Sequence, residues 1–448
     1  MTLALLLALS AIEVRVDPRV ELMSTVFRLA GSPEYNHPAS NSPYARAVRD
    51  HFGPFRKHPA IARAKELRRT RGVAFDAVVS LAVHCDASMQ PAFAFDPHPA
   101  RLDKRWRAEE AEAFLALVRD FAKQAKADAF FAAQKPFFDK AVARMRDVAQ
   151  RNAHLDWFDA FFGAKPGAEY VVILGLLNGA QNYGIGVKDP KGKEILTPVL
   201  GMYRFDDDGV PSPAPRFVPL LIHELAHSYV NPIVDRHVDR LEAAALPVWR
   251  VRAPQMRKQA YTNWTIMMYE SVVRACVLEH LRAHQGEAAV ARQASDDYRM
   301  GFTWSADLAT LLRKYQEDRV RYPQFDDFIP HVAAFFRVAA KKLPVAPRLV
   351  RMTPMPGRND IDPATKEIVF EFDQTMRDKS WSVLLDGAAF PKITGAIRYD
   401  RARRRLTIPV RLQPATEYRF RLNSDQKFGF ISEKGTPLAP LRIRFRTR

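Results

Sequence analysis

The chain has 448 residues, a formal net charge of +18 and a hydrophobic content of 47%. This length exceeds what one hydrophobic core usually supports, and the apolar content excludes a largely disordered protein. After the N-terminus no apolar window is long enough to cross a membrane, so we expect no transmembrane anchor. Composition therefore favours two folded domains.

The first residues resemble the later part of a signal peptide. Thr2 to Ala11 form a compact apolar run, and the polar residues Glu13 to Arg15 follow it. The positively charged start that usually precedes such a run is missing. Either the natural start lies upstream, or the run is a buried first strand. We favour a signal-peptide remnant at residues 1–11, and hence a bacterial protein that is secreted, periplasmic or associated with the cell envelope.

The body of the chain begins with helical periodicity and then changes to strand-like runs. Apolar residues recur at helical intervals between residues 42 and 150. Three strand-like runs follow, at Tyr170 to Leu174, Tyr183 to Val187 and Leu200 to Phe205. Further helices are predicted at residues 263–284, 307–315 and 325–342. This order predicts an α+β fold over residues 12–343, mostly helical with a short sheet.

A metal-binding motif lies in the apolar run that follows these strands. His223, Glu224 and His227 form the pattern HExxH, and residues i and i+4 share one face of a helix, so both imidazoles can bind one metal ion. A catalytic zinc takes three protein ligands and keeps one position for water. Glu224 would be the general base that accepts the proton of that water. The alternative, two core histidines beside an incidental glutamate, would bury polar groups at an uncompensated cost.

A third ligand must come from outside the motif. The residue six positions after His227 is Ile233 rather than histidine, which excludes the metzincin pattern. The other common solution is a glutamate from a second helix, and Glu270 is the one carboxylate in the apolar segment from Trp264 to Ala275. An ion pair with Arg274 is the alternative role for Glu270. Three other residues remain as alternative ligands: Asp235, His237 and Glu279.

Several segments around the motif carry a resemblance to a known family. They are Ile222 to Pro232, Tyr269 to Ser271 with Arg274 and Ala275, Val16 to Leu22, and the Asn182-Tyr183-Gly184 turn. Together they resemble a bacterial gluzincin-like family catalogued as domain of unknown function 4932, over roughly residues 12 to 340. The resemblance implies a zincin-like metallopeptidase that holds Zn2+ with His223, His227 and Glu270. It also implies that Glu224 is the catalytic base.

The last hundred residues change to an all-β pattern. Beyond Pro344, short alternating runs are separated by Pro, Gly and Asp, which favours a β-sandwich at residues 346–448. The segment Met355 to Pro363, followed by Phe372 to Met376, resembles bacterial immunoglobulin-like domains found on exported and surface proteins. That resemblance implies a location in the cell envelope.

The predicted sandwich is the basic part of the chain. Residues 345–448 hold 21 Lys and Arg against 11 Asp and Glu, a net charge of +10. Four arginines alternate along one face of the last predicted strand: Arg442, Arg444, Arg446 and Arg448. Solvated strand faces are one interpretation, and contact with anionic envelope polymers or lipid headgroups is the other. We expect no nucleic-acid partner, because Phe445 alternates to the opposite face and no nucleic-acid motif appears.

The sequence predicts hydrolysis of peptide bonds in a peptide or protein substrate, with zinc activating a water molecule and Glu224 acting as the general base. Two alternatives remain open. One is a non-catalytic envelope module that binds partners and keeps zinc for structure, and the other is a zinc hydrolase of non-peptide amides. Cysteine usage does not decide whether the protein is exported, since Cys85 and Cys276 could be buried thiols or one bridge.

Overall fold

A computed structural model describes the protein at residues 12–38, 42–163, 169–214, 216–387, 389–424 and 427–448. The run that resembles a signal peptide ends at Ala11 and lies outside these described residues. Helices dominate the first three quarters of the chain and antiparallel sheets the last quarter, so the fold class is α+β, as the sequence predicts.

Thirteen α-helices occur within the described residues. In chain order they are α1 (Pro18–Leu29), α2 (Pro43–Phe52), α3 (Pro59–Arg71), α4 (Asp76–Val83), α5 (Ala108–Gln124), α6 (Ala127–Asn152), α7 (Leu155–Phe162), α8 (Phe217–Arg236), α9 (Val238–Met256), α10 (Trp264–Gln285), α11 (Glu287–Arg299), α12 (Ser305–Glu317) and α13 (Phe325–Lys341). The predicted helices near residues 263, 307 and 325 correspond to α10, α12 and α13. None of the described helices is both long and apolar enough to cross a membrane.

Twelve β-strands accompany these helices in the described part of the chain. They are β1 (Glu13–Arg15), β2 (Glu169–Gly175), β3 (Asn182–Lys188), β4 (Glu194–Gly201), β5 (Leu349–Thr353), β6 (Glu367–Phe372), β7 (Val383–Leu385), β8 (Lys392–Ile393), β9 (Arg398–Tyr399), β10 (Arg405–Arg411), β11 (Glu417–Leu422) and β12 (Leu441–Arg446). The first four belong to one sheet and the other eight follow the last helix.

The described residues form two compact units, each assembled from several segments of chain. The first contains the described residues up to Ile233, together with Val273–Ala294 and Leu312–Asp326. The second contains Val234–Val272, Ser295–Leu311 and Asp327–Arg448. Helices α8 and α10 therefore contribute residues to both units. The predicted boundary between residues 343 and 346 lies between the end of α13 and the start of β5 and stays a prediction.

The sheet of the first unit is mixed, in the order β1-β2-β4-β3. The side chains of β2 are buried from Tyr170 onward, as a run of Val, Ile and Leu in a central strand requires. Strands β1 and β4 flank β2 in parallel, whereas β3 runs antiparallel to β4 and forms an edge of the sheet. The predicted strand at Leu200 to Phe205 is wrong in position, because pairing with β2 and β3 occupies Glu194–Gly201 instead.

Helix α8 extends further than its sequence signals predict. Asn231-Pro232 is expected to end the helix, since Pro232 cannot donate a hydrogen bond to the carbonyl of Ser228. The helix nevertheless continues to Arg236 with Pro232 inside it. Ile233 and Val234 beyond the proline are buried, and their packing accounts for the continuation despite one lost backbone bond.

The eight C-terminal strands form two sheets around one apolar core. The larger sheet has the order β5-β6-β10-β8, with β9 also paired to β10, and the smaller one has the order β12-β11-β7. Inward residues of both sheets share this core, among them Phe370 and Ile408 from the larger sheet and Phe420 and Phe445 from the smaller one. The expected sandwich architecture is therefore present.

Both cysteines are buried free thiols, which excludes the bridge between them. Burial raises the pKa of the Cys85 thiol to about 12, because the ionised form would lose its hydration. The pKa of Cys276 is likewise raised by burial. These thiols are packing groups rather than reactive ones.

Candidate metal centre

Helix α8 presents the two histidines of the motif on one face. Their Nε2 atoms lie 3.2 Å apart, and their rings meet edge to face with centroids 4.8 Å apart. His223 and His227 are half-buried, while the intervening Leu225 and Ala226 are fully buried. The buried stripe fixes the rotation of the helix about its axis. Core packing therefore also determines the side of the helix on which both imidazoles lie.

Asn231 fixes the ring orientation of His227 from one helical turn further along α8. The Nδ1 atom of His227 lies 3.0 Å from Oδ1 of Asn231. An amide oxygen can only accept, so Nδ1 of the imidazole donates and Nε2 keeps its lone pair. This contact selects the tautomer that a metal ligand at Nε2 needs. On the sequence alone Asn231 is assigned no role at the metal, although its spacing of four residues from His227 is a usable signal.

Glu270 completes the group from helix α10. The ligand atoms of His223, His227 and Glu270 all lie within 4.8 Å of one another. Glu270 is 6% exposed, and the hydroxyl of Tyr261 donates a hydrogen bond of 3.0 Å to its Oε2. Tyr261 precedes α10 and holds the carboxylate in one orientation. The structure therefore brings together the three residues that the sequence nominates as metal ligands.

The alternative third ligands lie outside this group. Asp235 is exposed at the end of α8 and accepts a hydrogen bond from the hydroxyl of Tyr269. Glu279 accepts hydrogen bonds from Arg282 and, at 3.1 Å, from Gln316. His237 precedes the first residue of α9. Among the described residues, only the group with Glu270 has ligand atoms close enough to share one ion.

Glu224 faces the edge strand β3 across a very short gap. A Cβ atom added to Gly184 would lie 2.6 Å from the carbonyl oxygen of Glu224 and 2.8 Å from Cβ of His227. It would also lie 3.3 Å from the carboxylate oxygen Oε2 of Glu224. Only glycine permits this approach, so β3 passes directly over the part of α8 that carries the motif. Glu224 is 6% exposed, and its carboxylate adjoins this strand.

A small pocket lies one helical turn before His223. It is lined by residues of β3, of the end of β4, of the chain after β4 and of the start of α8, among them Asn182, Gly201, Tyr203, Ser212, Phe217 and Leu220. Asn182 also accepts a hydrogen bond of 3.1 Å from the backbone N–H of Gly201. Asn182 therefore lines the pocket and is also the first residue of β3, the strand that passes beside Glu224.

A buried carboxyl group supports the chain that leads into β3. Oε1 of Glu21, in α1, accepts a hydrogen bond of 2.9 Å from the backbone N–H of Leu176, directly after β2. Its other oxygen has no hydrogen-bond partner among the described residues. Burial raises the pKa of Glu21 to about 8, because an ionised carboxylate would lose its hydration and the hydrogen bond from Leu176 offsets only part of that loss. Glu21 therefore holds the end of β2 largely as a neutral acid.

Comparisons with known proteins identify a family but no activity. The family model described as "Domain of unknown function (DUF4932)" matches residues 12–335. No curated protein matches the chain. Matching solved structures include the surface-layer protein SbsC, at 14% identity and a TM-score of 0.18, and domains 1–6 of SbsC, at 15% and 0.17. They cover 84% and 83% of this chain, which in turn spans only 46% of each of them, and TM-scores this low carry no structural argument.

Proposed function

We propose that this chain, which belongs to the DUF4932 family, is a zinc-dependent metallopeptidase. The family description names no activity, so the proposal rests on the side chains themselves. One observation carries it: the ligand atoms of His223, His227 and Glu270 lie within 4.8 Å of one another. Two imidazole nitrogens and one carboxylate oxygen are the ligand set that zinc uses in one large group of peptidases.

The spacing of the two imidazoles supports zinc as the metal. Zinc binds imidazole nitrogen at 2.0–2.1 Å in tetrahedral geometry, which separates two such nitrogens by about 3.3 Å. The Nε2 atoms of His223 and His227 are 3.2 Å apart without any rearrangement. The donor set also favours an open site, because structural zinc usually takes four protein ligands and the described residues supply three.

Glu224 is the group that moves the proton in this proposal. A bound zinc would polarise the substrate carbonyl and lower the pKa of a water molecule. The Glu224 carboxylate accepts a proton from the attacking water and passes it to the amine nitrogen of the leaving group. Burial of Glu224 keeps bulk water away from this carboxylate, which strengthens its interactions with charges that develop beside it.

The edge strand supports a peptide as the substrate. An extended peptide can add to β3 by backbone hydrogen bonds that are largely indifferent to side chains. The approach of Gly184 to Glu224 brings this edge against the proposed base. A non-peptide amide would use the same zinc chemistry but would gain nothing from the strand.

The location of the enzyme is a second part of the proposal. We propose that it is exported to the periplasm or cell envelope, with residues 1–11 as the end of its signal peptide. The two antiparallel sheets around one core are compatible with a bacterial immunoglobulin-like domain at residues 346–448, and such domains occur on exported proteins. N-terminal sequencing of secreted protein should find a start after Ser10 or Ala11, and a start at Met1 would contradict export.

The metal part is tested by elemental mass spectrometry of protein purified without added metal. We expect about one zinc per parent chain and far less in Glu270→Ala, because a three-ligand site loses most of its affinity with one ligand. Glu242→Ala, at an exposed glutamate of α9, is the matched control and should keep its zinc. No zinc in the parent after reconstitution would overturn the proposal.

The catalytic part is tested with Glu224→Gln on a peptide library read by mass spectrometry. We expect cleavage to fall by a factor of about 10² to 10⁴ while zinc content and thermal stability stay unchanged. Equal cleavage by the parent and the variant would remove Glu224 from the mechanism. Zinc retained, no cleavage by the parent and a variant that loses stability would instead favour a structural zinc in a non-catalytic module.

A further inference from the structure

The smaller C-terminal sheet carries five arginines on its solvent face. In β11 and β12 every second side chain is directed outward, and the residues between them are buried. The outward arginines, here named the arginine face, are Arg419, Arg421, Arg442, Arg444 and Arg446. The side chains of Arg442 and Arg444 are 80% and 62% exposed. The face is thus a concentrated positive patch open to solvent.

The register of the two strands places arginines directly opposite one another. Arg419 pairs with Arg444, and Arg421 pairs with Arg442. Like charges directly opposite in an antiparallel sheet are destabilising. The two cross-strand pairs therefore need negative charge beside them, from carboxylates of the protein or from an anionic ligand.

Two carboxylates on the face are shared and leave an excess of positive charge. Asp386 lies 3.3 Å from Arg421 and 3.6 Å from Arg442. Glu417 pairs with Arg419 at 2.7 Å and also with Arg444. Each carboxylate thus serves two guanidinium groups, and each guanidinium has five N–H donors. The face keeps a net charge of +3 and donors that can still bind phosphate in pairs.

Protection of a free strand edge does not account for these arginines. Charged residues often guard an exposed edge against pairing with another chain. The outer edge of β12 is already hydrogen-bonded to residues 357–361. Gly357 donates to the carbonyl of Arg444 at 2.6 Å, and Ile361 donates to that of Arg446 at 3.1 Å. The arginines occupy the flat face of the sheet, where edge protection is not needed.

We infer that the arginine face binds a linear polyol-phosphate polymer. Successive outward residues of a strand are about 6.7 Å apart. A chain of phosphodiester groups joined through three carbons has six backbone bonds per repeat, which span roughly 7 Å when extended, like two residues of polypeptide. Arg442, Arg444 and Arg446 therefore match successive phosphates of one chain, while Arg419 and Arg421 reach the same phosphates from the neighbouring strand.

The surroundings of the arginines disfavour nucleic acid as the polyanion. Proteins that bind single strands usually stack the bases on exposed aromatic rings. The aromatic residues of these two strands are directed into the core, and Tyr418, Phe420 and Phe445 are 2%, 0% and 0% exposed. A polymer without bases needs only the regularly spaced positive charges that the arginine face provides.

The test uses the full chain and synthetic poly(glycerol phosphate), with affinity measured by calorimetry over a series of salt concentrations. We expect the variant Arg419→Gln/Arg442→Gln/Arg444→Gln to bind at least tenfold more weakly. Its slope of log K against log salt should fall by about 2, since each phosphate contact contributes roughly 0.7. The matched control, Arg348→Gln/Arg351→Gln/Arg398→Gln, removes the same charge from exposed arginines at or beside the larger sheet. It should bind within twofold of the parent.

Several outcomes would overturn the inference. Equal losses in both triple variants would mean that total charge, rather than the face, attracts the polymer. No binding by the parent at low salt, tighter binding of single-stranded oligonucleotide, or binding only to vesicles of anionic lipid would each reject polyol phosphate as the ligand. Unchanged unfolding midpoints confirm that the variants are folded, and if the triple variant unfolds, Arg444→Gln alone should lose affinity threefold or more.

Discussion

Gly184 of β3 lies so close to Glu224 of α8 that there is no room for a side chain at position 184. Alanine at this position would place its Cβ 2.6 Å from the carbonyl oxygen of Glu224. The clash is with backbone, so either β3 or α8 must move. The position of β3 relative to the proposed base Glu224 therefore depends on the absence of a side chain at residue 184.

The first prediction concerns Gly184→Ala. We expect the free energy of unfolding to fall by about 1–3 kcal/mol, because overpacking of a filled interior forces backbone shifts. Peptide cleavage should fall more steeply than zinc content, since the substrate edge moves relative to Glu224. The control is Gly53→Ala, where an added Cβ meets nothing within 4 Å. Equal stability of both variants in denaturant titrations would contradict the packing argument.

The second prediction concerns Asn231 and the tautomer of His227. Asn231→Ala removes the acceptor at 3.0 Å from Nδ1, and we expect zinc affinity to fall by about 10- to 100-fold. Asn231→Asp keeps an acceptor at the same place and should restore most of that affinity. Competition with a chromogenic chelator measures both. An affinity unchanged in Asn231→Ala would mean that His227 is oriented by packing alone.

The third prediction concerns the hydrogen bond from Tyr261 to Glu270. Tyr261→Phe removes only the hydroxyl that donates to Oε2 at 3.0 Å. We expect zinc to bind about tenfold more weakly, because the carboxylate gains orientational freedom. Tyr298→Phe, at a tyrosine that is 64% exposed, is the matched control. Similar chelator competition by both variants would show that Tyr261 does not position the carboxylate.

The fourth prediction concerns pH and the neutral acid Glu21. Its pKa is about 8 in the folded protein and 4.5 as a free side chain, so folding takes up a proton between these values. Its contribution to stability is complete below pH 4.5 and is lost as pH rises through 8. Glu21→Gln cannot ionise, so we expect it to exceed the parent in stability at pH 9, by at most about 5 kcal/mol, and to match it near pH 4.5. Urea midpoints at both pH values measure this, and a parent–variant difference that does not change with pH would refute the raised pKa.

The sequence predicts the parts of the fold that rest on local pattern. The spacing of His223 and His227 is a property of any helix, and the strands of the sandwich alternate with a period of two, so both could be located in advance. Pro232 is misleading because tertiary packing of Ile233 and Val234 outweighs a local stop signal. The position of β4 could not be read either, since its register is set by partners on both sides.

Within the candidate site, the residues that could be predicted are those whose side-chain type stands out from its surroundings in the sequence. Glu270 stands out as a lone carboxylate in an apolar helix, and the expectation that it joins the histidines agrees with its position. Tyr261 and Gly184 carry no comparable signal. One acts through a hydroxyl whose partner lies nine residues away, and the other through the absence of a side chain.

The pairing of β1 has a consequence for the order of events during folding. Glu13 pairs with Val171, whereas the other pairings of this sheet join segments that lie close along the chain. As the polypeptide emerges from the ribosome, its first strand has no partner until β2 has been made. Contacts of such long sequence separation form slowly. If the chain crosses a membrane unfolded, this sheet closes only after the segment containing β2 has reached the far side.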